Sequence, residues 1–440
     1  MMIQKIKGTE DLLPGDIYLW QYLEDTARTI FESYNFKEIR TPMLEKFDLF
    51  SRSVGETTDI VSKEMYDFKD KGDRHIALRP EGTASVVRAY VEHKLFGPEH
   101  AHPYKVYYMG PMFRYERPQA GRQRQFHQLG MEVFGSSNPA TDVEGIAMAW
   151  DFLTELGLHN LTIHLNSLGK PAERQAYRQA LIDYFQPHLE ELSEDSRRRL
   201  HDNPLRVLDS KEAEDQALVK GAPKILDFLG EESGRHFNQV KQYLDDLGIP
   251  YQVNPYVVRG LDYYQDTIFE IIVDDDSIGA QSTVCGGGRY DGMVEELGGP
   301  EASGFGFAMG MERLLILLQE QEVDLPQEEG LDLYVLSVGE EANSLALRLV
   351  QAARQNGLTA DRDYMGRSLK SQFKTASKNQ AKLVATLGQE EVESMTISLK
   401  NQESGKESSF TFEELNDDFA SIHRQLTMDT SAIDEFFKGV

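Results

Sequence analysis

The sequence predicts an α+β protein in which an antiparallel sheet is flanked by helices, with a helical insertion and a C-terminal α/β domain. Residues 109–135 form two strand-like stretches around a polar turn, which predicts a long antiparallel hairpin. Residues of about 170–250 are charged and helix-favouring and lack strand alternation. From residue 331 a buried-type strand precedes a helix, as in small α/β domains. We expect domains over 1–325 and 331–440, joined by an acidic linker.

The other elements are predicted from apolar spacing and from the positions of proline and glycine. They are, in chain order, a helix over 17–34, a short strand stopped at Pro42, a helix after 79–83, a helix over 142–156, strands over 161–165 and 267–273, a glycine-rich strand entering a helix over 304–318, a strand over 331–338 and a helix over 342–356.

Composition and charge restrict the class of protein. The 440 residues suffice for two or three domains with full cores, and the 40% that are hydrophobic include no uninterrupted run of membrane-spanning length. The first residues lack the apolar segment of a secretory signal, and the one cysteine, Cys285, excludes an internal disulfide and a multi-cysteine zinc site. We therefore expect a soluble, cytoplasmic protein.

The net charge of −27, from 46 Lys and Arg against 73 Asp and Glu, repels nucleic acid as a whole. Binding is decided by the local cationic surface rather than by the sum. Basic clusters occur at the hairpin tip and near the C-terminus. A nucleic-acid partner is therefore compatible with this sequence.

Alternation along the hairpin decides which side chains share a face, because successive strand residues point to opposite sides. The residues expected on one face are Met112, Arg114 and Glu116 from the first strand and Phe126, Gln128, Gly130, Glu132 and Phe134 from the second. Gly130 would leave room for a ligand to lie on the sheet. The alternative is the solvated face of a two-sided sheet. Arg117, Arg122 and Arg124 at the tip favour a polyanion over a packed core.

The hairpin resembles the second signature motif of the class II aminoacyl-tRNA synthetases, and its amino-acid sequence is similar to that of the histidine-specific branch of that family. The resemblance implies a class II catalytic sheet. It also implies that Arg114 binds the α-phosphate of ATP, while Glu116 and Phe126 hold adenine by a hydrogen bond and by stacking. Residues 17–42 resemble the first class II motif, which forms the dimer interface in the family.

Residues 79–83, Arg-Pro-Glu-Gly-Thr, resemble the family's turn for the α-amino group of the substrate. This implies that Glu81, Gly82 and Thr83 bind histidine. An ammonium group needs oxygen acceptors, which a carboxylate and a hydroxyl supply. The alternative is structural, with Thr83 as the N-cap of the next helix and Glu81 complementing the helix dipole.

Residues 257–264 resemble the first histidine-specific signature. This implies that Arg259 bridges the α-phosphate and the histidine carboxylate, and that Tyr263 and Tyr264 belong to the histidine site. The alternative is a structural Arg–Asp pair beside two core tyrosines. The family usually continues with Thr-Gly, whereas this chain has Gln265 and Asp266, so the adjoining turn departs from the pattern.

Two glycine-rich runs complete the resemblance. Residues 285–292 resemble the second histidine-specific signature, which implies a wall of the histidine and adenine sites, although a plain glycine turn is the alternative. Residues 304–318 resemble the third class II motif, whose arginine, here Arg313, contacts the ATP phosphates. The alternative is a buried helix with one satisfied arginine. A dinucleotide-binding fingerprint is excluded by the glycine spacing.

The implied chemistry explains these residue types. Activation brings together two anions, the histidine carboxylate and the α-phosphate, so Arg114 and Arg259 are the candidate catalytic residues, with Mg²⁺ accompanying ATP and no metal ligand assigned in the chain. Neutral imidazole has one donor and one acceptor, which fits Glu132 at one end and the Tyr264 hydroxyl at the other. Gln128 completes the predicted histidine site.

Contacts with tRNA are predicted at three places. In the family the insertion reaches toward the acceptor arm and the C-terminal domain grips the anticodon stem-loop. The candidate tRNA-binding residues are Arg117, Gln119 and Arg122 of the loop and Lys370, Lys374 and Lys378 of the C-terminal domain. These lysines and Lys382 recur every four residues, with Leu369, Phe373 and Ala376 as an inward stripe. Solvated charged faces are the alternative for the insertion and for the lysines.

Together these features imply a homodimeric, ATP-dependent ligase that converts L-histidine to histidyl-adenylate and pyrophosphate and then charges the 3′ end of tRNA(His). A non-catalytic histidine-binding paralogue, of the type of the ATP phosphoribosyltransferase regulatory subunit, is the alternative. The presence of Arg114, Arg259, Arg313 and a C-terminal α/β region argues against it.

Overall fold

The computed structural model describes residues 2–55, 58, 60–259, 261, 263–274 and 283–428. The chain divides into two compact units, residues 1–326 and residues 327–440. Gly260 and Asp262 of the predicted 257–264 run, and residues 429–440 of the predicted C-terminal domain, lie outside the described residues. Among the described residues, no helix has the length and apolar character needed to cross a bilayer.

The first unit contains helices and strands that are numbered here in chain order. The helices are α1 (Ile17–Ser33), α2 (Phe47–Ser53), α3 (Thr83–Glu92), α4 (Pro139–Glu155), α5 (Pro171–Phe185), α6 (Glu194–Arg199), α7 (Leu205–Leu208), α8 (Ala213–Val219), α9 (Glu231–Leu247), α10 (Met293–Glu296) and α11 (Met311–Glu320). The strands are β1 (Lys37–Glu38), β2 (Leu44–Lys46), β3 (Asp67–Lys69), β4 (His75–Leu78), β5 (Tyr104–Phe113), β6 (Gln125–Phe134), β7 (Leu161–Ser167), β8 (Tyr251–Val253), β9 (Gln265–Val273), β10 (Thr283–Arg289) and β11 (Gly304–Gly310).

The main sheet of this unit has, in the described residues, eight strands in the order β1-β5-β6-β11-β10-β9-β7-β8. All neighbouring pairs are antiparallel except the two at the edges, β1 with β5 and β7 with β8. A smaller antiparallel sheet has the order β2-β4-β3. The predicted α+β fold with an antiparallel sheet is therefore confirmed.

The predicted hairpin is confirmed as the antiparallel pair β5–β6, in which Met112 lies opposite Phe126. The prediction that its first strand continues to Glu116 is wrong, since β5 ends at Phe113. One further ladder bond joins the Arg114 amide to the Arg124 carbonyl at 2.9 Å. The chain then turns, because the Glu116 amide donates to the Arg114 carbonyl at 2.8 Å instead of crossing to the other strand.

The two faces of β6 serve different purposes, as its period of two requires. Leu129, Met131 and Val133 are fully buried in a core formed with α1, α4, α9 and α11. The opposite face carries Phe126, Gln128 and Glu132, and it borders a second core that contains residues of α2, α3 and α10. The sheet therefore keeps its helix-covered side apolar and leaves polar side chains on the other side, where the candidate site lies.

The insertion is helical, with α5 to α8 between β7 and the helix α9 that leads back to the sheet. Its core includes Tyr177, Leu181 and Phe185, and the same cluster contains Tyr264 and Ile268 of the catalytic region. Helix α9 ends at Gly248, whose φ of 68° is easily adopted by glycine. The insertion therefore shares buried apolar surface with one of the predicted site residues.

The second unit combines parallel and antiparallel strands. Its elements are β12 (Leu333–Ser337), α12 (Glu341–Gln355), β13 (Ala360–Arg362), α13 (Leu369–Lys378), β14 (Leu383–Leu387), α14 (Gln389–Ser394), β15 (Thr396–Asn401), β16 (Glu407–Thr411) and α15 (Phe412–Thr427). Among the described residues, its sheet has the order β13-β12-β14-β15-β16, with the first three strands parallel. This is the predicted α/β type of domain.

The predicted lysine helix is shorter than expected. Lys370, Lys374 and Lys378 lie exposed on α13. Lys382 follows the end of that helix, and its Nζ lies 2.9 Å from Asp332 Oδ1, so its predicted place in the helical series is wrong. The prediction that Phe373 faces inward is also wrong, because its side chain is exposed and the buried residues of α13 are Gln372 and Ala376.

A buried histidine predicts a pH dependence for the stability of this unit. His423 on α15 is buried with its Nε2 3.2 Å from Asp332 Oδ1, and burial lowers the pKa of His423 below its ordinary value of 6.5, although Asp332 opposes this shift. The unfolded chain then binds the proton more tightly, so stability falls as the pH drops below 6.5. We expect the unfolding free energy to fall less between pH 7.5 and 5.5 in His423→Gln than in the wild type, measured by urea unfolding. The same dependence in His423→Gln as in the wild type would contradict this prediction.

Candidate active site

The predicted site residues come together in a cleft of about 410 Å³ on the polar face of the main sheet. The predicted residues that line it are Glu81, Thr83, Arg114, Glu116, Arg122, Phe126, Gln128, Arg259, Tyr263, Tyr264 and Arg313. They belong to separate stretches of the chain, which meet because β11, β10 and β9 follow β6 in that order across the sheet. The structure thus places the residues of all the histidine-site and ATP-site stretches around one cavity.

The other predicted residues lie elsewhere. Glu132 is fully buried beneath the cleft, and Gly82 is buried where α3 begins. Arg117 and Gln119 are exposed in the hairpin loop, whose tip is closed by paired backbone bonds between Gln119 and Arg122 at 3.0 and 2.9 Å. The candidate lysines belong to the second unit.

Glu81 forms the cap of α3. Its carboxylate accepts hydrogen bonds from the backbone amides of Thr83 and Ala84, each at 2.8 Å, which satisfies two amides at the start of that helix. The alternative prediction that Thr83 is the N-cap is therefore wrong. The Thr83 hydroxyl instead donates to Glu132 Oε1 at 2.7 Å. Burial raises the pKa of Glu81, while these amide bonds act against the shift.

Glu132 is held by two hydroxyl groups of the protein. Oε1 accepts from Thr83, and Oε2 accepts a short hydrogen bond from the Tyr290 hydroxyl. The side chain is 0% exposed, and burial raises the pKa of Glu132 well above the ordinary value even though both hydroxyls stabilise its charged form. A buried carboxylate of this kind gains from a further hydrogen-bond donor, because the protein leaves part of its charge uncompensated.

The space above Gly130 is filled by the protein itself. A Cβ at this position would lie 2.6 Å from Cζ of Tyr108 and 2.6 Å from the Phe307 carbonyl oxygen. The prediction that Gly130 leaves room for a ligand is therefore wrong, since the phenol ring of Tyr108 lies there. Gly130 is required for the close approach of this ring and of strand β11.

Three of the arginines that line the cleft are anchored by the protein itself. Arg259 Nη1 makes a short ion pair with Glu270 Oε1, Arg114 Nε donates to the Pro80 carbonyl at 2.9 Å, and Arg313 Nη1 donates to the Thr283 carbonyl at 2.5 Å. Among the described residues, Nε of Arg259 and Nε of Arg313 have no hydrogen-bond partner. Burial lowers the pKa of Arg313. These guanidinium groups are anchored by part of their donors and keep others for a ligand.

The hairpin side of the cleft combines an aromatic ring with charged groups. The Arg114 guanidinium carbon lies 5.2 Å from the centroid of the Phe126 ring, within cation–π distance. Glu116 carboxylate oxygens lie 3.9 Å from Arg114 Nη1 and 3.6 Å from Arg122 Nη1. Gln128 Oε1 has no hydrogen-bond partner in the described part of the chain. This end offers a flat ring and both hydrogen-bond donors and acceptors.

The glycine run of residues 285–289 lies within β10, so the alternative that it forms a plain turn is wrong. Gly286 faces the guanidinium of Arg259 so closely that a Cβ would collide with it. Tyr290 follows this strand, and its ring centroid lies 5.7 Å from that of Tyr263, which in turn lies 4.6 Å from that of Tyr264. Backbone and aromatic rings therefore form one wall of the cleft.

Three functional candidates were not singled out from the sequence. Tyr108 shares the face of Met112 by the same alternation, so the strand period would have found it. Tyr290 belongs to the predicted wall at 285–292, but only its bond to Glu132 reveals its place. Glu270 carried no local signal, because its importance depends on the ion pair with Arg259.

The backbone conformation accommodates Gln265 and Asp266, where the family usually has Thr-Gly. Asp266 has a φ of 47°, in the left-handed region where glycine is most easily accommodated and aspartate is tolerated. Its buried carboxylate accepts a hydrogen bond from the Ser233 hydroxyl at 2.8 Å. Gln265 donates a short hydrogen bond to the Asp291 carbonyl. Gln265 and Asp266 therefore begin strand β9, and each makes a side-chain contact of its own.

Comparison with known proteins gives consistent matches to both units. A family model described as Histidyl-tRNA synthetase matches residues 8–314, and one described as Anticodon binding domain matches residues 332–421. A histidine--tRNA ligase of Streptococcus thermophilus (strain CNRZ 1066) is 59% identical over 426 residues, which cover 97% of this chain and 100% of that protein.

Solved structures give the same result. The apo histidyl-tRNA synthetase of S. aureus matches with a TM-score of 0.80 and 43% identity, covering 94% of this chain and 99% of that one. An ATP phosphoribosyltransferase regulatory subunit/histidyl-tRNA synthetase from Bacillus halodurans C has a TM-score of 0.65 and 20% identity, covering 88% and 99%. At this identity the second match shows the fold alone.

Proposed function

The chain belongs to the histidyl-tRNA synthetase family, and from this premise we propose which of its residues carry out each step of the reaction. The protein activates L-histidine with ATP, releasing pyrophosphate, and transfers histidine to the 3′ end of tRNA. The regulatory-subunit alternative is not favoured, because histidine--tRNA ligases match along nearly the whole chain at 59% identity.

Activation requires that two anions approach each other, and the observation that carries our assignment is the convergence of three arginines on one cleft of a chain with a net charge of −27. Arg114 would bind the α-phosphate, Arg259 would bridge this phosphate and the histidine carboxylate, and Arg313 would bind the γ-phosphate. Positive charge aimed at the transferring phosphoryl group stabilises the transition state more than the separated reactants.

The histidine site would lie beside the beginning of α3. Glu81, Thr83 and Gln128 would accept hydrogen bonds from the α-ammonium group, supported by the unpartnered oxygen of Gln128 and by the second lone pairs of the Glu81 oxygens. Gly82 would form the tight turn between Glu81 and Thr83. These acceptors surround the part of the cleft nearest to Glu132.

Imidazole recognition would rest on Glu132 and Tyr264, with Tyr263 packed beside them. The buried carboxylate favours an N–H donor, and a tyrosine hydroxyl can donate to the other ring nitrogen. A site that requires both partners discriminates against apolar amino acids, whose binding would leave buried polar groups unpaired.

The nucleotide base would lie against Phe126, with a hydrogen bond to Glu116. The Arg114 guanidinium lies near the Phe126 ring, so adenine would add a second aromatic group beside this cation. We propose that Mg²⁺ accompanies the ATP phosphates and shields their charge. In the described residues, no three His, Cys, Asp or Glu side chains are grouped as metal ligands, so the phosphates would provide most of the coordination.

For the transfer step we propose that tRNA contacts both units of the chain. The loop residues Arg117, Gln119 and Arg122 would contact the acceptor end, since all three are exposed at the rim of the hairpin. The anticodon stem-loop would contact Lys370, Lys374 and Lys378. These lysines form an exposed basic row in the domain that matches the family model described as Anticodon binding domain.

We also propose a homodimer that acts in the cytoplasm, where tRNA charging supplies protein synthesis. Leu44 and Phe68 on the small sheet, and Met43 just before it, are 50%, 47% and 48% exposed, and apolar side chains exposed in this way are suited to an interface between subunits. Sedimentation or light scattering would test this assembly.

The proposed function is tested by histidine-dependent ATP–pyrophosphate exchange, followed by charging of tRNA(His). We expect exchange with histidine and none with other amino acids, because the polar groups around Glu132 and Tyr264 need an imidazole partner. Exchange that proceeds equally with phenylalanine would contradict the assigned imidazole site. Exchange without charging would restrict the protein to the first half of the reaction.

A further inference from the structure

Helix α9, the last helix of the insertion, makes two buried polar contacts with the catalytic region. His236 Nε2 donates to Asp142 Oδ2 at 2.8 Å, and the Ser233 hydroxyl donates to Asp266 Oδ1 at 2.8 Å. Asp142 is 0% exposed and Asp266 is 7% exposed. Ser233 and His236 are three residues apart, so both contacts lie on one face of the helix.

The contact through His236 continues to the histidine site. Asp142 Oδ1 makes a short ion pair with Arg289 Nη2, and Arg289 is 1% exposed. Arg289 Nη1 also donates to the Ser136 carbonyl at 2.9 Å. The next residue is Tyr290, whose hydroxyl donates to Glu132. Polar contacts and the peptide bond between Arg289 and Tyr290 therefore connect α9 to the carboxylate assigned to imidazole.

The contact through Ser233 leads to the other side of the same site. Asp266 lies two residues after Tyr264, and its backbone is bonded to β7 and the start of the insertion, with the Leu168 amide donating to its carbonyl at 2.8 Å and its own amide donating to the Gly169 carbonyl at 3.1 Å. Tyr264 itself packs in the core of the insertion. Tyr290 and Tyr264, which flank the proposed imidazole site, are therefore both connected to groups that contact α9.

We propose that Ser233 and His236 are positioning residues for histidine recognition, so that the placement of the insertion's last helix sets the affinity of the imidazole site. This inference rests on the proposed roles of Glu132 and Tyr264. It assigns the insertion a role in the first half of the reaction, before tRNA takes part.

The physical reason is the cost of an unpaired buried carboxylate. Without His236, Asp142 Oδ2 loses its donor while Asp142 remains 0% exposed, and the side chain gains by turning toward other donors. Arg289 must then follow or lose its ion pair. Either change displaces the backbone that carries Tyr290. Helix α9 itself remains packed on the sheet through Phe237, Val240 and Leu244, so the fold is retained.

The test compares three variants of the full chain in histidine-dependent ATP–pyrophosphate exchange. His236→Leu removes the donor, whereas His236→Gln can still donate a hydrogen bond to Asp142. His188→Leu is the matched control, because His188 also lies in the insertion and its Nδ1 pairs with Glu191 at 2.8 Å, but neither of these residues lines the cleft. KM for histidine, KM for ATP and the inhibition constant of histidinol are measured for each variant.

We expect His236→Leu to raise KM for histidine and the inhibition constant of histidinol by about tenfold, the equivalent of roughly one hydrogen bond to a charged group. KM for ATP should remain within about twofold, and His236→Gln should recover most of the affinity. A role in stability alone would lower the amount of active enzyme, and hence kcat, while leaving KM unchanged.

An unchanged KM for histidine in His236→Leu, with normal exchange by the wild type, would overturn the inference and leave the proposed function intact. Absence of exchange in the wild type would instead contradict the function. If His236→Leu does not fold, Ser233→Ala provides the second test, since it removes only one hydroxyl. A rise in KM for histidine of about threefold is expected for it, because Asp266 keeps its backbone hydrogen bonds to Leu168 and Gly169, and no change would again overturn the proposal.

Discussion

Arg259→Ala is expected to lower histidine-dependent ATP–pyrophosphate exchange by about 10²–10³-fold, the effect of removing one preorganised donor from a developing charge. Arg259 reaches the cleft beside Tyr263 and Tyr264, and its Nε is unpartnered among the described residues. Its partner Glu270 holds Nη1, which fixes the orientation of the guanidinium before the substrates bind. In the proposed role, removing the side chain removes both the charge that would bring the two anions together and the guanidinium orientation that Glu270 fixes.

The measurement is kcat and KM for both substrates in pyrophosphate exchange. The main loss should be in kcat, because the bridging contact forms most strongly in the transition state. Arg197→Ala is the control, since Arg197 is a partly exposed arginine of the insertion that donates to the Leu192 carbonyl and does not line the cleft. A loss below about threefold for Arg259→Ala would show that the bridging role belongs to another residue.

Glu132→Gln is expected to lower kcat/KM for histidine by roughly 10²-fold, because it removes a buried charged acceptor from the imidazole site. The replacement keeps the volume of the side chain but presents an amide donor where the structure has only acceptor oxygens. KM for ATP should stay within about twofold, since the adenine site that we propose at Phe126 and Glu116 does not include Glu132. Binding of histidine and of ATP is measured separately, by calorimetry and by exchange kinetics.

The same variant has a second expected property that identifies the cause. Burial raises the pKa of Glu132, so the folded protein binds the proton more tightly than the unfolded chain, and the charged carboxylate costs stability once the pH exceeds its ordinary value of 4.5. Glu132→Gln should therefore unfold at the same or a higher temperature than the wild type at pH 8. A lower unfolding temperature combined with unchanged histidine affinity would show that Glu132 is a structural residue. Glu144→Gln, at a partly exposed ion pair with Lys105, serves as the control.

The local features of the site were readable from the sequence because they depend on periodicity and on residue type. The strand period of two placed Phe126, Gln128 and Glu132 on one face of β6, and the structure has them on the polar face. Proline, glycine and apolar spacing located the helices that follow residues 79–83 and 304–310. Each of these predictions concerns residues that are neighbours along the chain.

The tertiary structure decided which groups pack against, bond to or pair with one another. Tyr108 fills the space above Gly130, Tyr290 bonds to Glu132 across 158 positions of sequence, and Glu270 pairs with Arg259. Lys382 lies outside the predicted helical row because α13 ends at Lys378, and it pairs with Asp332, which is 50 positions away in sequence.

Sequence alone thus determined the sheet, the faces of its strands and the chemical groups available to the site. Only the folded chain determined their partners, because alternation specifies the side to which a residue points, whereas the order of strands in the sheet specifies which distant residue lies opposite it.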